Sequence, residues 1–178
     1  MAKTYDILLA GFGGQGILFA GKAIAHAGMD AGEQVSWIPS YGPEMRGGTC
    51  NCSIVVSDEP VGCPIVSNPN VLVAMNLPSL DKFEPVVVTG GLVLVDSTLI
   101  ERGPERADIK FSAIPATQLA NDNGFPKLAN MIMMGKLLKE ADIVSYDVFC
   151  DSLRNSIPAS KKAMLETNLK AVEIGYNF

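Results

Sequence analysis

The residues best suited to chemistry near the amino terminus form a glycine-rich turn with the spacing G-x-G-x-x-G. The turn comprises Gly11, Gly13, Gly14, Gln15 and Gly16. A short apolar run at residues 7–10 precedes it, and residues 17–27, which are rich in helix formers, follow it, so the pattern predicts a strand–turn–helix unit. Glycines there allow a ligand or a backbone to approach closely. The free N–H groups of the helix start favour a phosphate, a carboxylate or the carbonyl of a partner.

The turn alone does not establish dinucleotide binding. That fingerprint includes an acid roughly 20 residues further on, at the end of the second strand. The predicted second strand, residues 34–39, leads to Tyr41 without such an acid. Asp30 and Glu33 precede this strand, and Glu44 follows it in a loop. Three interpretations stay open at this point: dinucleotide binding, contact with another anion or partner, and a turn that only permits close helix–sheet packing.

The loop at residues 40–48 is the second chemical feature. Its candidate binding residues are Tyr41, Glu44, Arg46, Gly47 and Gly48. Because the loop follows a strand of an α/β sheet, we expect it at the carboxyl edge beside the glycine turn, where such folds bind ligands. Arg46 could hold a phosphate or carboxylate with two hydrogen bonds. Alternatively, Glu44 and Arg46 only pair with each other and order the loop.

No residue is well suited to act as a general base, a nucleophile or a metal ligand. The single histidine, His26, falls in the first predicted helix among apolar neighbours. Four cysteines lack a C-x-x-C pattern, so we expect buried thiols rather than a zinc or iron–sulfur site. These are Cys50, Cys52, Cys63 and Cys150. No Walker lysine follows the turn, since Gly16 is succeeded by Ile17. The sequence therefore predicts no catalytic residue and no bound metal.

Composition predicts one domain over residues 1–178 that binds no nucleic acid. The net charge is −5 and no basic run occurs, whereas nucleic-acid binding needs clustered Lys and Arg. Charged residues make up only 19% of the chain, against about 25% in soluble domains. This deficit indicates a large subunit interface or a well-buried α/β core. Neither a signal peptide nor an apolar run long enough for a membrane span is apparent, so we expect a cytoplasmic protein.

Hydrophobic periodicity predicts a three-layer α/β fold with a largely parallel sheet and a Rossmann-like glycine turn after the first strand. The predicted strands are residues 7–10, 34–39, 49–57, 71–75, 92–96 and 109–114. Predicted helices follow the turn, begin near Asn76, and cover residues 115–121, 128–140, 147–156 and 161–176. The first helix is expected to end near Gly28 or Gly32. Met131, Met133 and Met134 are expected as core residues or, alternatively, as an adaptable contact surface.

Read together, these motifs resemble the γ subunit of 2-oxoacid:ferredoxin oxidoreductases. The resemblance is carried by Gly-Phe-Gly-Gly-Gln-Gly at 11–16, Pro-Ser-Tyr-Gly-Pro-Glu-Met-Arg-Gly-Gly at 39–48 and Val-Val-Ser-Asp-Glu-Pro at 55–60. Shorter matches at 76–78, 114–117, 129–131 and 168–171 extend it along the chain. The short length is similar to the separate-chain γ subunit. The 40–48 segment is most similar to the 2-oxoglutarate type, with the branched-chain and pyruvate types close behind.

The resemblance implies a complex that decarboxylates a 2-oxoacid on thiamine diphosphate and releases an acyl-coenzyme A. Electrons would pass through iron–sulfur clusters to ferredoxin. It also implies that thiamine diphosphate, Mg and the clusters belong to the α, β and ferredoxin-like δ subunits, and that this chain is non-catalytic. The glycine turn and Arg46 would then face coenzyme A or a partner subunit, and the isolated chain could form a homodimer. The alternatives are a free-standing dinucleotide-dependent enzyme and a nucleotide-binding scaffold.

Overall fold

The computed structural model describes residues 3–41 and 48–178, without the side chains of Tyr41 and Ala159. Its strands are β1 (Thr4–Phe12), β2 (Gln34–Tyr41), β3 (Thr49–Ser57), β4 (Val71–Ala74), β5 (Leu92–Asp96) and β6 (Lys110–Ile114). Its helices are α1 (Ile17–Asp30), α2 (Leu77–Phe83), α3 (Ala116–Asp122), α4 (Ala129–Glu140), α5 (Tyr146–Ser156) and α6 (Lys162–Asn177). Short 3₁₀ turns occupy Glu84–Val86 and Ala159–Lys161.

The six strands form one sheet in the order β2-β3-β1-β4-β5-β6. β1, β4, β5 and β6 pair in parallel, whereas β3 pairs antiparallel with both β1 and β2. The largely parallel α/β sheet is therefore confirmed. The first two strands extend beyond their predicted apolar runs because ladder pairing with β3 continues, from Thr4 opposite Ser57 to Tyr41 opposite Cys50.

The two faces of the sheet are covered unequally. The larger core lies under α1, α3, α4, α5 and α6, and its fully buried members include Ile24, Met131 and Phe149. The smaller core on the opposite face contains Leu8, Leu72, Ala74, Leu80, Val87, Val93, Val95 and Ile100. It is covered by the short helix α2 and the segments around it. Met131, Met133 and Met134 are buried in the larger core, so the expectation of core residues is confirmed and the alternative of an exposed surface is wrong.

Two predicted helix boundaries are confirmed by their capping groups. The Oδ1 atom of Asn76 accepts a 2.8 Å hydrogen bond from the N–H of Ser79, with Pro78 in the first turn of α2. Beyond α1, Gly32 has φ +85°, and its N–H donates to the Met29 carbonyl. Only glycine adopts this conformation at low cost, which is why the chain leaves α1 there. Gly28 lies inside α1 instead and packs against Val35.

Helices α4 and α6 cross with their backbones in contact through two glycines. A Cβ atom on Gly135 would overlap the Val172 carbonyl oxygen, and one on Gly175 would overlap the Ile132 carbonyl oxygen. Because backbone atoms on both helices form this contact, neither side can move aside as a flexible side chain would. The crossing fixes the position of α4, whose first turn reaches the glycine turn.

We expect Gly135→Ala to lower the free energy of unfolding by about 3 kcal/mol, since the added methyl group separates α4 from α6. Gly62→Ala is the matched control, because a Cβ atom there meets no atom within 4 Å and its φ is not in the left-handed region. Urea unfolding of the two variants and the wild type measures the difference. Equal midpoints for the three proteins would contradict the backbone contact.

A buried ion pair holds the β5–β6 connection against the end of α2. Glu84 is only 2% exposed, and its Oε2 accepts a 2.8 Å hydrogen bond from Nη1 of Arg102. Its Oε1 accepts a 2.6 Å hydrogen bond from the backbone N–H of Glu105. Both carboxylate oxygens are thereby satisfied, as a buried charge requires.

Glu84→Ala should lower the free energy of unfolding by about 2 kcal/mol, because it removes the acceptor of both the Arg102 Nη1 and the Glu105 N–H, whereas Asp81 still pairs with Arg102. The control is Asp151→Ala, which breaks the solvent-exposed pair with Arg154 and should cost less than about 1 kcal/mol. Chemical denaturation measures both. If Glu84→Ala lowered the free energy of unfolding no more than Asp151→Ala, the pair of Glu84 with Arg102 would not stabilise the fold.

Candidate functional site

The glycine turn and Gly48, which directly precedes β3, meet at the carboxyl edge of β1. The N–H of Gly13 donates a 2.8 Å hydrogen bond to the carbonyl of Gly48. Gly11 and Tyr41 both lie opposite Cys50 of β3, on its two sides. The expected neighbourhood of the two features is thus confirmed. Glu44, Arg46 and Gly47, which the sequence also nominates, fall at 42–47, outside the described residues.

Gly11 and Gly16 are required by packing inside the chain. A Cβ atom on Gly11 would lie 2.6 Å from Oε1 of Gln15 and 2.7 Å from Cδ1 of Ile17. Gly16 has φ +77°, and its Cβ atom would lie 2.5 Å from Nδ2 of Asn130. The space that a ligand would use at these two glycines is therefore filled by the protein's own side chains.

Two side-chain amides fasten the turn to the rest of the fold. Gln15 accepts a 2.6 Å hydrogen bond at Oε1 from the N–H of Phe12 and donates a 2.8 Å hydrogen bond from Nε2 to the Met75 carbonyl. Asn130, in the first turn of α4, donates from Nδ2 to the Gly16 carbonyl at 3.1 Å. The side chain of Gln15 thereby braces the turn, and its role in binding stays a prediction.

Asn130 was not nominated from the sequence as a site residue. The available signal was a polar amide within a buried helix that is otherwise rich in Met, Ile and Leu. Its partner, Gly16, lies 114 positions earlier, so no local pattern connects the two.

The open part of the turn is Gly14. It is exposed, has φ +103°, and a Cβ atom there would meet nothing within 4 Å. Within the described ranges, neither Gly14 nor Gly16 donates its backbone N–H to a protein group. The turn therefore offers N–H groups of a helix start and an unobstructed approach at Gly14, which suits an anion or the carbonyl oxygen of another chain.

The turn occupies the topological switch point of the sheet. β1 leads into α1 over the larger core, while the adjacent strand β4 leads into α2 over the smaller one. Open α/β sheets bind ligands in the crevice that this divergence creates. Two buried amides near it have spare hydrogen-bonding capacity among the described residues, at Nδ2 of Asn76 and Oδ1 of Asn130. Among the described residues, these polar groups at the crevice are neutral amides.

The strand order does not match the arrangement of a dinucleotide site. In that arrangement the acid that binds the ribose ends the strand beside β1. Here β3 is inserted between β1 and β2, which moves the end of β2 two strands away from the turn. The residue at that end is Tyr41, not an acid. The glycine pattern thus lies in the strand–turn–helix context it requires, but without its usual ribose partner.

The thiols of Cys50 and Cys52, near the turn, are unreactive because they are buried. Burial raises the pKa of Cys52 to about 12, and burial also raises the pKa of Cys50. Both thiols are therefore protonated at neutral pH, and a protonated thiol is neither a nucleophile nor a metal ligand. The expected burial is confirmed for Cys50, Cys52 and Cys150 but is wrong for Cys63, which is exposed on the connection after β3.

His26 lies away from the turn, in a cleft of about 200 Å³ between α1 and α5. Its Nδ1 atom is 3.3 Å from the hydroxyl of Ser156. In the ranges that the structure describes, no three His, Cys, Asp or Glu side chains lie together as metal ligands would. Over the same ranges, none of the helices combines the length and the apolar composition that a membrane span requires.

Curated relatives of this chain include two archaeal oxidoreductase subunits. Ketoisovalerate oxidoreductase subunit VorA of Methanothermobacter thermautotrophicus is 40% identical over 174 residues, which cover 95% of this chain and 35% of VorA. The chain thus spans about a third of the length of VorA. 2-Oxoglutarate synthase subunit KorC of Methanocaldococcus jannaschii is 38% identical over 176 residues, which cover 96% of this chain and 91% of KorC.

Solved structures share the whole fold. The γ subunit of a keto/oxoacid ferredoxin oxidoreductase from Geobacter sulfurreducens superposes with a TM-score of 0.86 at 29% identity, covering 98% of this chain and 95% of that one. The 2-oxoglutarate:ferredoxin oxidoreductase of Magnetococcus marinus, solved with 2-oxoglutarate, coenzyme A and succinyl-CoA bound, gives a TM-score of 0.88. Its sequence identity is 24%, and the match covers 98% of this chain and 31% of that one. This structure therefore supports a shared fold and nothing further.

The family model described as pyruvate ferredoxin/flavodoxin oxidoreductase matches residues 6–178. The match includes the glycine turn, all but the first two residues of β1, and every later element of the sheet. The chain therefore belongs to the pyruvate ferredoxin/flavodoxin oxidoreductase family, and its predicted resemblance to the γ subunits of 2-oxoacid:ferredoxin oxidoreductases is confirmed.

Proposed function

We propose that the chain works as the γ subunit of a multisubunit 2-oxoacid:ferredoxin oxidoreductase. Such an enzyme decarboxylates a 2-oxoacid oxidatively, forms an acyl-coenzyme A and passes the electrons to ferredoxin. The observation that carries this proposal is the agreement over nearly the full length of both chains with a separate γ subunit of known structure. KorC, which is of similar length, supports the same assignment from sequence.

In this proposal the chain itself is not catalytic. Its carboxyl edge offers glycine N–H groups and neutral amides, and the two thiols nearest the turn are held protonated by burial. Such groups position and bind but do not transfer protons or electrons. We therefore assign thiamine diphosphate, Mg and the iron–sulfur clusters to the α, β and δ subunits. Its four cysteines are free, which supports the expected cytoplasmic location.

The preferred substrate in this proposal is 2-oxoglutarate. The wording of the 40–48 segment and the similarity to KorC along nearly its whole length support it. The identity with VorA, which is slightly higher, favours a branched-chain 2-oxoacid as the alternative. Pyruvate has weaker support, since the pyruvate synthase subunit PorC of M. thermautotrophicus is 26% identical.

We propose that the open side of the glycine turn, at Gly14, and the guanidinium of Arg46 face the phosphates of coenzyme A or a partner subunit. The accessible position at Gly14 and the free N–H groups of the helix start support this role. Gly11 and Gly16 contribute by shaping the turn, because the chain's own side chains fill the space beside them.

Permanent association with other subunits has independent support in the length of the relatives. The segment of VorA that matches this chain is about a third of VorA, so there it is covalently joined to roughly twice its own length of protein. Covalent linkage keeps two units at high effective concentration. We infer that this chain reaches the same arrangement through a stable interface. In isolation, the same surface could form a homodimer.

The alternative function, a free-standing dinucleotide-binding protein, is favoured by the glycine turn alone. The inserted strand β3 and the missing acid at the end of β2 oppose it.

Affinity purification from the native organism tests the assignment. We expect the tagged chain, isolated without oxygen, to recover companion subunits that contain thiamine diphosphate and iron–sulfur clusters. Mass spectrometry identifies these subunits, and assays with 2-oxoglutarate, 3-methyl-2-oxobutanoate and pyruvate rank the substrates. A colourless chain that elutes alone with a bound nucleotide would overturn the proposal in favour of dinucleotide binding.

Arg46→Ala tests the contact with coenzyme A. Losing a charge-assisted hydrogen bond to phosphate should raise KM for coenzyme A roughly ten- to a hundredfold, with kcat at saturation unchanged. Steady-state kinetics of the purified complex measures both constants. Arg154→Ala is the control, since Arg154 is exposed on α5 and pairs with Asp151. If KM stays unchanged in an assembled complex, Arg46 does not bind coenzyme A.

A further inference from the structure

Charged side chains are distributed unequally between the two edges of the sheet. At the carboxyl edge, the described segments 12–16, 48–49, 75–80, 97–101 and 115–118 contain one charged side chain, Glu101. At the amino edge, the segments that flank the strands carry Lys3, Glu33, Asp58, Glu59, Glu105, Arg106 and Asp108. Ion pairs join Lys3 to Asp142 and Arg106 to Asp108 at this second edge. The amino edge therefore has the charged, ion-paired side chains that are typical of a solvent-exposed surface.

Large apolar side chains are exposed in these described segments of the carboxyl edge. Phe12 ends β1, Leu77 follows β4 and Leu99 follows β5, and they are 37%, 40% and 44% exposed. These three strands are consecutive in the sheet, and neighbouring strands lie about 4.8 Å apart. The three side chains therefore form a row, on the order of 10 Å across, beside the open glycine turn. We call Phe12, Leu77 and Leu99 the apolar row.

We infer that the carboxyl edge, with the apolar row at its centre, is the surface that a larger subunit of the complex covers, while the amino edge faces solvent. This inference rests on the proposed function. Depletion of charge together with exposed large apolar residues distinguishes the buried core of an interface from ordinary surface. The surface that covers the apolar row is correspondingly apolar, with carbonyl oxygens that accept hydrogen bonds from the free N–H groups of the turn.

A different polypeptide, rather than a second copy, suits this surface best. In VorA the matching segment is continuous with about twice its own length of additional chain, which provides a neighbour that is not another copy of the segment. The free N–H groups at Gly14 and Gly16 are donors without protein acceptors among the described residues. A second copy would bring the same donors to a twofold interface, whereas a different chain can bring acceptors.

Charge substitution at matched positions tests the inference. Leu77→Glu and Leu99→Glu should each reduce the recovery of thiamine diphosphate-containing subunits with the tagged chain more than tenfold, because a carboxylate would be buried without a partner. Val88→Glu is the control, since Val88 is apolar and 39% exposed but lies at the amino edge, before β5. Its recovery should stay within about twofold of the wild type. Quantitative mass spectrometry measures recovery, and thermal melts of the isolated variants verify folding.

A cross-linking experiment covers the case in which a carboxylate disturbs folding. Phe12 replaced by the photoreactive analogue p-benzoylphenylalanine preserves the aromatic side chain. On irradiation of the assembled complex, we expect adducts with a companion subunit from position 12 and none from the same analogue at position 88. Equal cross-linking at both positions, or equal recovery of all three glutamate variants, would overturn the inference.

The remaining outcomes separate this inference from the proposed function. If the wild-type chain recovers companions and the Leu77 and Leu99 variants recover them equally well, only the location of the interface is wrong. If the isolated wild type sediments as a dimer that Leu99→Glu dissociates, while assembly is unaffected, a second copy covers this edge. If the wild type recovers no companion with thiamine diphosphate, the proposed function fails and this inference fails with it.

Discussion

The pairing of β3 with both β1 and β2 is the interaction on which the candidate site depends. The antiparallel ladders run the full length of β3, so the register of β1 also fixes that of β2. As a result, the carbonyl oxygen of Gly48, directly before β3, lies 2.8 Å from the amide nitrogen of Gly13. A slip of one residue in either ladder would turn Cys52 and Ile54 away from α1 and separate the two loops.

The same pairing explains which parts of the site were predictable. The bounds of β3 follow from the apolar residues at every second position, Cys50, Cys52, Ile54 and Val56, and the glycine turn follows from its own spacing. Both are local signals. The position of β3 between β1 and β2 is a choice among non-local pairings that no short segment encodes, and the bond from Asn130 to Gly16 spans most of the chain. The position of the glycine turn at the carboxyl edge of β1 was therefore predictable, whereas Asn130, which braces it, was not.

The glycines of the turn are required for different physical reasons. Gly11 and Gly16 leave room for Gln15, Ile17 and Asn130, so they would be needed even in a protein that binds nothing at this edge. Gly14 faces open space, so glycine is required there by its positive φ rather than by packing. The sequence pattern alone cannot separate these roles, since all of them select glycine. The structure separates them, because only at Gly14 does a Cβ atom meet open space, whereas Gly11 and Gly16 face the protein's own side chains.

In the proposed function, the chain supports an active site by excluding water and completing a wall rather than by supplying catalytic side chains. The glycine turn is braced by neutral amides that hydrogen-bond to backbone groups, so no buried charge is needed to hold its shape. A neutral, apolar edge loses little hydration when another subunit covers it, whereas an edge that carries charges would lose more. Under the proposed assembly, the scarcity of charge in the described carboxyl-edge segments therefore has a direct energetic reason. The charged amino edge stays hydrated, and the switch point loses little hydration when another subunit covers it.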